Sequence, residues 1–158
     1  MISVAIITVS DRASRGDMKD ESGAALQRFC EKRGWKIRDQ AIVPDEKKII
    51  QRRTIKFSSR ANVVLLTGGT GIAERDVTPE AISAIATKGL PGFGEVMRAK
   101  SFDRFPNAIL SRSMAVVIGH ALVICLPGSP KGAVECLSYV VDAVPHAVDL
   151  LSGHTHHK

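Results

Sequence analysis

Two near-continuous apolar runs, Ser3-Val4-Ala5-Ile6-Ile7-Thr8-Val9 and Ala61-Asn62-Val63-Val64-Leu65-Leu66-Thr67, constrain this chain more than any other feature. A strand with one wet face alternates apolar and polar residues, whereas an unbroken β-branched run suits a strand covered on both faces by helices. The first run is followed, after a turn, by Ser22 to Arg33, where Ala25, Leu26, Phe29 and Cys30 recur at helical spacing before Gly34. The second ends directly in Gly68-Gly69-Thr70-Gly71. Strand-helix alternation of this kind predicts an α/β fold around a parallel sheet.

Between and beyond these runs the punctuation is readable. Trp35 to Val43 alternates less cleanly and carries charges, which predicts a more exposed strand near a sheet edge. Pro44-Asp45-Glu46 opens a helix with Ile49, Ile50, Ile55 and Phe57 on an apolar side and Lys47, Lys48, Arg52, Arg53 and Lys56 on a basic one. Thr78 suits an N-cap with Pro79 at the first helical position, and Ala81 to Ile85 carry that helix toward Gly89. Leu90-Pro91-Gly92-Phe93-Gly94 reads as a turn-rich connector and Glu95 to Phe105 as a short helix. Met114–Ile118 and Ala121–Leu126 are separated only by Gly119-His120, a hairpin spacing that makes one strand antiparallel. Lys131 to Val140 and Val144 to Leu151 read as terminal helices, with no repeat or linker, so 1–158 is expected to form one domain.

Composition narrows the function. With 44% hydrophobic and 24% charged residues the chain is globular, and 22 Lys+Arg against 16 Asp+Glu favours anionic partners. Met1 to Val9 lacks the basic start of a secretory leader, and the uncharged run from Ser113 is split by Gly119-His120 and ended by Pro127, Gly128 and Pro130, so a cytoplasmic protein without a membrane span is expected. Cys30, Cys125 and Cys136 form no CxxC pair and read as reduced core thiols. No GK pair exists for a Walker A loop, and Glu74 stands where a GxGxxG reading from Gly69 needs a small residue. GxSxG and HExxH are absent. One Trp and one Tyr offer little stacking, so nucleic-acid binding by the basic 45–58 segment is not expected. His154, His156 and His157 read as a polar tail.

Thr67-Gly68-Gly69-Thr70-Gly71 stands where open α/β sheets take ligands, and its glycines allow backbone amides to converge on a phosphate; a plain strand-to-helix turn has the same composition. Asp76 sits just before the helix at Thr78, placed either to face a phosphate with Mg²⁺ or to offset the helix dipole. Asp45 has the same two readings at the end of another strand. Gly128-Ser129-Pro130-Lys131 joins a capping hydroxyl, a helix start and a cation, hence a second anion seat or an ordinary capped helix. Ser111-Arg112 offers a guanidinium to phosphate or to solvent.

Taken together and in order, Thr67-Gly-Gly-Thr-Gly71, Arg75-Asp-Val-Thr-Pro-Glu80, Pro91-Gly-Phe-Gly-Glu95, Leu110-Ser-Arg112 and Leu126-Pro-Gly-Ser-Pro-Lys131 resemble the molybdenum-cofactor biosynthesis family, which includes molybdopterin adenylyltransferases. The match runs from the Ser10-Asp11-Arg12 turn to the C-terminal helices. The resemblance implies a three-layer α/β/α fold, a mostly parallel sheet with one antiparallel strand, and a homotrimer. It implies adenylyl transfer from ATP to molybdopterin with Mg²⁺, and a downstream molybdenum-insertion enzyme as partner. Matched by motif, the family's essential carboxylates are Asp45 and Asp76, both assigned to Mg²⁺ and α-phosphate positioning. The Gly68 to Gly71 loop is assigned to nucleotide phosphates, and Ser129 with Lys131 to the pterin's phosphate. Glu74 departs from the Arg or Pro of many members and weakens the expectation of an anion contact there. The alternatives are a binding-only paralogue of the same fold and a scaffold module.

Overall fold

The computed structural model describes residues 1–154. The expected polar tail therefore lies outside the described residues except for His154, whose amide donates to Asp149 O at 3.1 Å. In chain order the elements are β1 (Ser3–Val9), α1 (Asp11–Ser14), α2 (Glu21–Lys32), β2 (Lys36–Val43), α3 (Lys47–Ser58), β3 (Val63–Thr67), α4 (Thr78–Ile85), β4 (Lys88–Gly89), α5 (Pro91–Phe102), a 3₁₀ turn (Pro106–Leu110), β5 (Met114–Ile118), β6 (Ala121–Leu126), α6 (Pro130–Val140), a second 3₁₀ turn (Val141–Ala143) and α7 (Val144–Leu151). The six strands lie in the order β2-β1-β3-β6-β5-β4. The β2, β1, β3 and β6 pairings are parallel, and β5 is antiparallel to both of its neighbours, so β5 alone runs against the rest.

The apolar runs are unbroken because the sheet is covered twice. Val4, Ile6, Val63, Leu65, Leu122 and Ile124 pack against α2, α5, α6 and α7, while Ala5, Ile7, Val64, Leu66, Val123 and Cys125 pack against α3 and α4. Alternate residues of one strand thus enter opposite cores, giving the three layers. Each fully buried aliphatic side chain contributes about 1.5–3 kcal/mol. The charged run at Lys36–Val43 is the edge strand expected of it, and the Gly119-His120 hairpin forms as expected. Cys30, Cys125 and Cys136 are free and buried, and burial pushes the Cys30 and Cys125 thiols up to about 12.

Four sequence expectations are corrected. Thr78 is the first residue of α4, not its cap: Val77 is the N-cap, and the Thr78 hydroxyl donates to Gly68 O at 2.9 Å. That helix ends at Ile85, because Ala86 turns extended and Lys88–Gly89 leaves to pair with Val116 and Val117. The connector at Leu90–Gly94 is the start of α5, since Pro91 enters the helix without needing an amide partner. On α3, Ile50 and Phe57 are buried with Thr54, but Ile55 faces outward.

Candidate active site

At the carboxyl edge of the sheet the chain parts to either side. β1 leads to α2 on one face, β3 leads to α4 on the other, and β6 returns to the first face through α6. Such switch points open the crevices in which α/β sheets take ligands. Two cavities lie there, of about 470 and 540 Å³. The first is walled by Met97, Phe105, Ala108 and Leu110 with Arg98 and Ser101 among them. The second is more polar, with Thr8, Ser10, Asp20, Ser22 and Asp45. Gly69, Asp76, Gly128 and Ser129 line both and form their common border.

The border is built from the glycine loop. Gly68 and Gly69 have φ of +105° and +69°; a Cβ on Gly68 would run into Val9 O, and one on Gly69 into the Thr78 hydroxyl. Only glycine meets both the backbone and the space. The Gly68 amide donates to Leu126 O at 3.1 Å and Gly69 O accepts from the Thr78 amide at 3.1 Å. The amides of Gly69, Thr70 and Gly71 have no protein acceptor among the described residues, which leaves three adjacent donors for an anion. The Thr67 hydroxyl donates to Pro127 O at 2.6 Å, and that of Ser22 to Gly128 O at 2.5 Å, tying the border to β3 and to the start of α2.

Neither carboxylate serves as a helix cap. α3 is capped by Glu46 without a side-chain bond, and α4 by Val77. Asp45 Oδ2 instead accepts from the Asp11 amide at 2.9 Å, while Oδ1 faces Gly69, 3.1 Å from where a Cβ would stand. Burial pushes the Asp45 carboxyl above the ordinary range; the Asp11 amide opposes this, and the charges of Asp11 and Asp76 add to it. Asp76 Oδ2 accepts from the Ala73 amide at 3.0 Å and lies 2.7 Å from the position of a Cβ on Gly71. Both carboxylates therefore face the loop, Asp45 at Gly69 and Asp76 at Gly71.

The remaining expected residues divide. Ser129 caps α6, accepting from the Gly132 amide at 3.0 Å, and with Gly128 and Pro130 it borders the cavities. Lys131 lines neither cavity; its side chain is 86% exposed and its ammonium lies 3.9 Å from Glu135. Ser111 reaches the first cavity. The Arg112 guanidinium, expected for phosphate, is committed to the protein: Nε donates to Gly71 O and Nη2 to Asp76 O, each at 2.8 Å, and Nη1 pairs with Glu80. It braces the loop, and it holds the Glu80 carboxyl below the ordinary range.

Sequence reading did not single out Asp11, Arg75, Asp20 or Ser22. Asp20 caps α2 and accepts from the Thr8 hydroxyl at 2.8 Å. The available signal for Asp11 was its place directly beyond the carboxyl end of β1.

Among the described residues no three His, Cys, Asp or Glu side chains converge as a metal cluster. Asp45 and Asp76 offer two hard oxygen donors, the first half-buried without a cation of its own. That donor set fits Mg²⁺, which commonly takes one or two carboxylates and completes its shell with water and substrate phosphates.

The fold and its border define an α/β/α domain in which two cavities, three adjacent free amides and two carboxylates meet at one edge of the sheet. Residues 5–146 match the family model described as a probable molybdopterin binding domain, and the chain belongs to that family. It is 42% identical over 156 residues to the molybdopterin adenylyltransferase of Helicobacter pylori, covering 96% of this chain and 89% of that one. To molybdenum cofactor biosynthesis protein B of Bacillus subtilis it is 46% identical over 134 residues, covering 82% and 77%. The crystal structure of MoaB from Thermus thermophilus superposes with a TM-score of 0.91 at 38% identity, covering 97% and 98%. The family resemblance and the fold expected from the motifs are both borne out.

Proposed function

We propose that this protein, as one molybdopterin-binding domain over 1–158, is a molybdopterin adenylyltransferase: it transfers AMP from ATP to the terminal phosphate of molybdopterin and releases pyrophosphate. The observation that carries the reading is the shared border of the two cavities, where Gly69, Asp76, Gly128 and Ser129 serve both. A phosphate oxygen of molybdopterin attacks the α-phosphorus of ATP, forming one P–O bond while the bond to the β-phosphate oxygen breaks and pyrophosphate leaves. The nucleophile is already an anion, so the chain has to align the two groups and offset charge, with no base required.

In this reading the amides of Gly69, Thr70 and Gly71 donate to nucleotide phosphates, with Thr67 and Gly68 shaping the loop. The Ser129 hydroxyl and the Lys131 amide, the one amide of the first turn of α6 without a protein acceptor among the described residues, hold the pterin's phosphate beside Gly128 and Pro130, and Ser111 lines the first cavity; the Lys131 side chain adds positive charge from outside. Arg112 keeps the loop and Asp76 in place. Mg²⁺, held by Asp45 and Asp76, would neutralise charge on the α-phosphate and the leaving group.

The product is an activated dithiolene pterin, which a molybdenum-insertion enzyme would consume. A homotrimer is part of the same reading, supported by the exposed Phe102, Phe105, Ile109 and Leu110 on and after α5. So is a cytoplasmic site of action: among the described residues no helix is long and apolar enough to cross a membrane.

The likeness to molybdenum cofactor biosynthesis protein B of Bacillus subtilis, whose name states no transfer, leaves one second reading, a paralogue that binds pterin or nucleotide without transfer. ATP labelled at the α-phosphate separates the two. Label appearing in a pterin product supports adenylyl transfer, and none, with molybdopterin still bound, supports the binding-only reading.

A further inference from the structure

Asp11 and Arg75 line neither cavity, yet they stand directly behind the two carboxylates. Asp11 and Asp45 exchange a reciprocal pair of bonds across 34 residues of chain: the Asp11 amide donates to Asp45 Oδ2 at 2.9 Å, and the Asp45 amide donates to Asp11 Oδ1 at 3.0 Å. Asp45 is thus fixed at its backbone and at one carboxylate oxygen, with Oδ1 left toward Gly69. Two acids held this close repel unless one is compensated. Arg75 compensates Asp11 with a bidentate fork, Nε to Oδ2 and Nη2 to Oδ1, each at 2.9 Å. Planar fork-on-carboxylate pairing fixes orientation as well as charge. Because Arg75 immediately precedes Asp76, the same fork ties the segment carrying Asp76 to the loop after β1.

We propose, resting on the adenylyl-transfer reading, that the Asp11–Arg75 ion pair is the positioning element that sets the Asp45 and Asp76 carboxylates for the divalent ion arriving with the nucleotide. Neither residue touches substrate; they act through the two carboxylates. The Arg75 half of the pair is in water, 62% exposed against 23% for the Asp11 side chain, and pairs open to solvent on one side contribute little to global stability. Its removal should therefore loosen the site without unfolding the domain. Partners of this kind behind a metal ligand typically change metal affinity or activity by about 10–100-fold.

The test titrates Mn²⁺, a paramagnetic substitute for Mg²⁺, into the full chain with α,β-methylene-ATP, and measures pyrophosphate release in parallel. The chains compared are the wild type, Asp11→Asn, Arg75→Gln, Arg75→Lys, Asp45→Asn and the Asp11→Asn/Asp45→Asn double variant. The expected result is Mn²⁺ affinity and kcat both lowered about tenfold or more in Asp11→Asn and Arg75→Gln, with the KM for molybdopterin held. Arg75→Lys, which keeps charge but loses the fork, should fall between. Asp11→Asn should lower Mn²⁺ affinity less once Asp45 is Asn than it does alone, because the route through Asp45 is then gone and only the tie through Arg75 to Asp76 remains. Unchanged Mn²⁺ affinity and kcat in folded Asp11→Asn and Arg75→Gln would overturn the proposal, as would full additivity with Asp45→Asn. Should Asp11→Asn fail to fold, the exposed Arg75 variants decide alone. A wild type that binds Mn²⁺ but releases no pyrophosphate would remove the adenylyl-transfer reading while leaving the clamp to be judged on the Mn²⁺ affinities.

Discussion

Asp45 is half-buried beside Asp76 and Asp11, and its nearest guanidinium, that of Arg75, is committed to Asp11. Burial raises its carboxyl above the unfolded value, so the native state holds a proton there more readily than the unfolded chain does. Above the raised value the ionised group is a penalty on folding, and the penalty disappears as pH falls below the unfolded value. Asp45→Asn is therefore expected to raise the Tm at pH 7.5, to lose that advantage near pH 4, and to abolish turnover; thermal unfolding at both pH values checks it. Asp11 has the opposite sign. Arg75 holds its carboxyl low, so its contribution is present above the ordinary carboxylate range and is lost as acid passes through the depressed value. A site that loses stability to keep an unneutralised carboxylate is the usual mark of function. The sequence nominated Asp45 and Asp76 by their place after a strand or glycine loop, where helix capping read equally well, and the family's motifs decided between the two readings. Asp11 and Arg75 were not legible, because a pairing across 64 residues has no local signature.

At the scale of elements, the strands were legible because double coverage writes itself as an unbroken apolar run, and the charged run at Lys36–Val43 gave away its edge position. Helix boundaries were harder. Thr78 looks like a cap in sequence, but its hydroxyl closes the glycine loop from outside, and β4 has only two residues, too few to show a period. The loop itself is an element with one allowed chemistry. Gly69→Ala combines a positive φ with contact against the Thr78 hydroxyl, and an expected cost of about 1–3 kcal/mol should appear as a lower urea midpoint with pyrophosphate release lost. Gly128→Ala meets only Gly68, its Cα at 3.4 Å and its N at 4.0 Å, both ordinary contacts, and should unfold close to the wild-type midpoint. In the strand beneath, Leu65→Ala empties a fully buried position and should cost about 2–5 kcal/mol by the same measurement.

At the scale of the molecule, the order β2-β1-β3-β6-β5-β4 puts the ends of β1, β3 and β6 side by side, and this adjacency lets three distant turns share one border. The order is invisible in any single motif, which is why the glycine loop taken alone was as good a turn as a phosphate seat. The family's five ordered motifs carried what periodicity did not. Assembly belongs to this scale too: if the exposed apolar residues on and after α5 meet other copies, light scattering should give three times the 17.0 kDa chain mass, and Phe105→Glu should lower it. The most direct test of the whole account is pyrophosphate release from ATP with molybdopterin and Mg²⁺, beside Asp76→Asn and a control without pterin. Release that depends on pterin and is lost in folded Asp76→Asn is the expected result; no release from a folded wild type that still binds molybdopterin would contradict it.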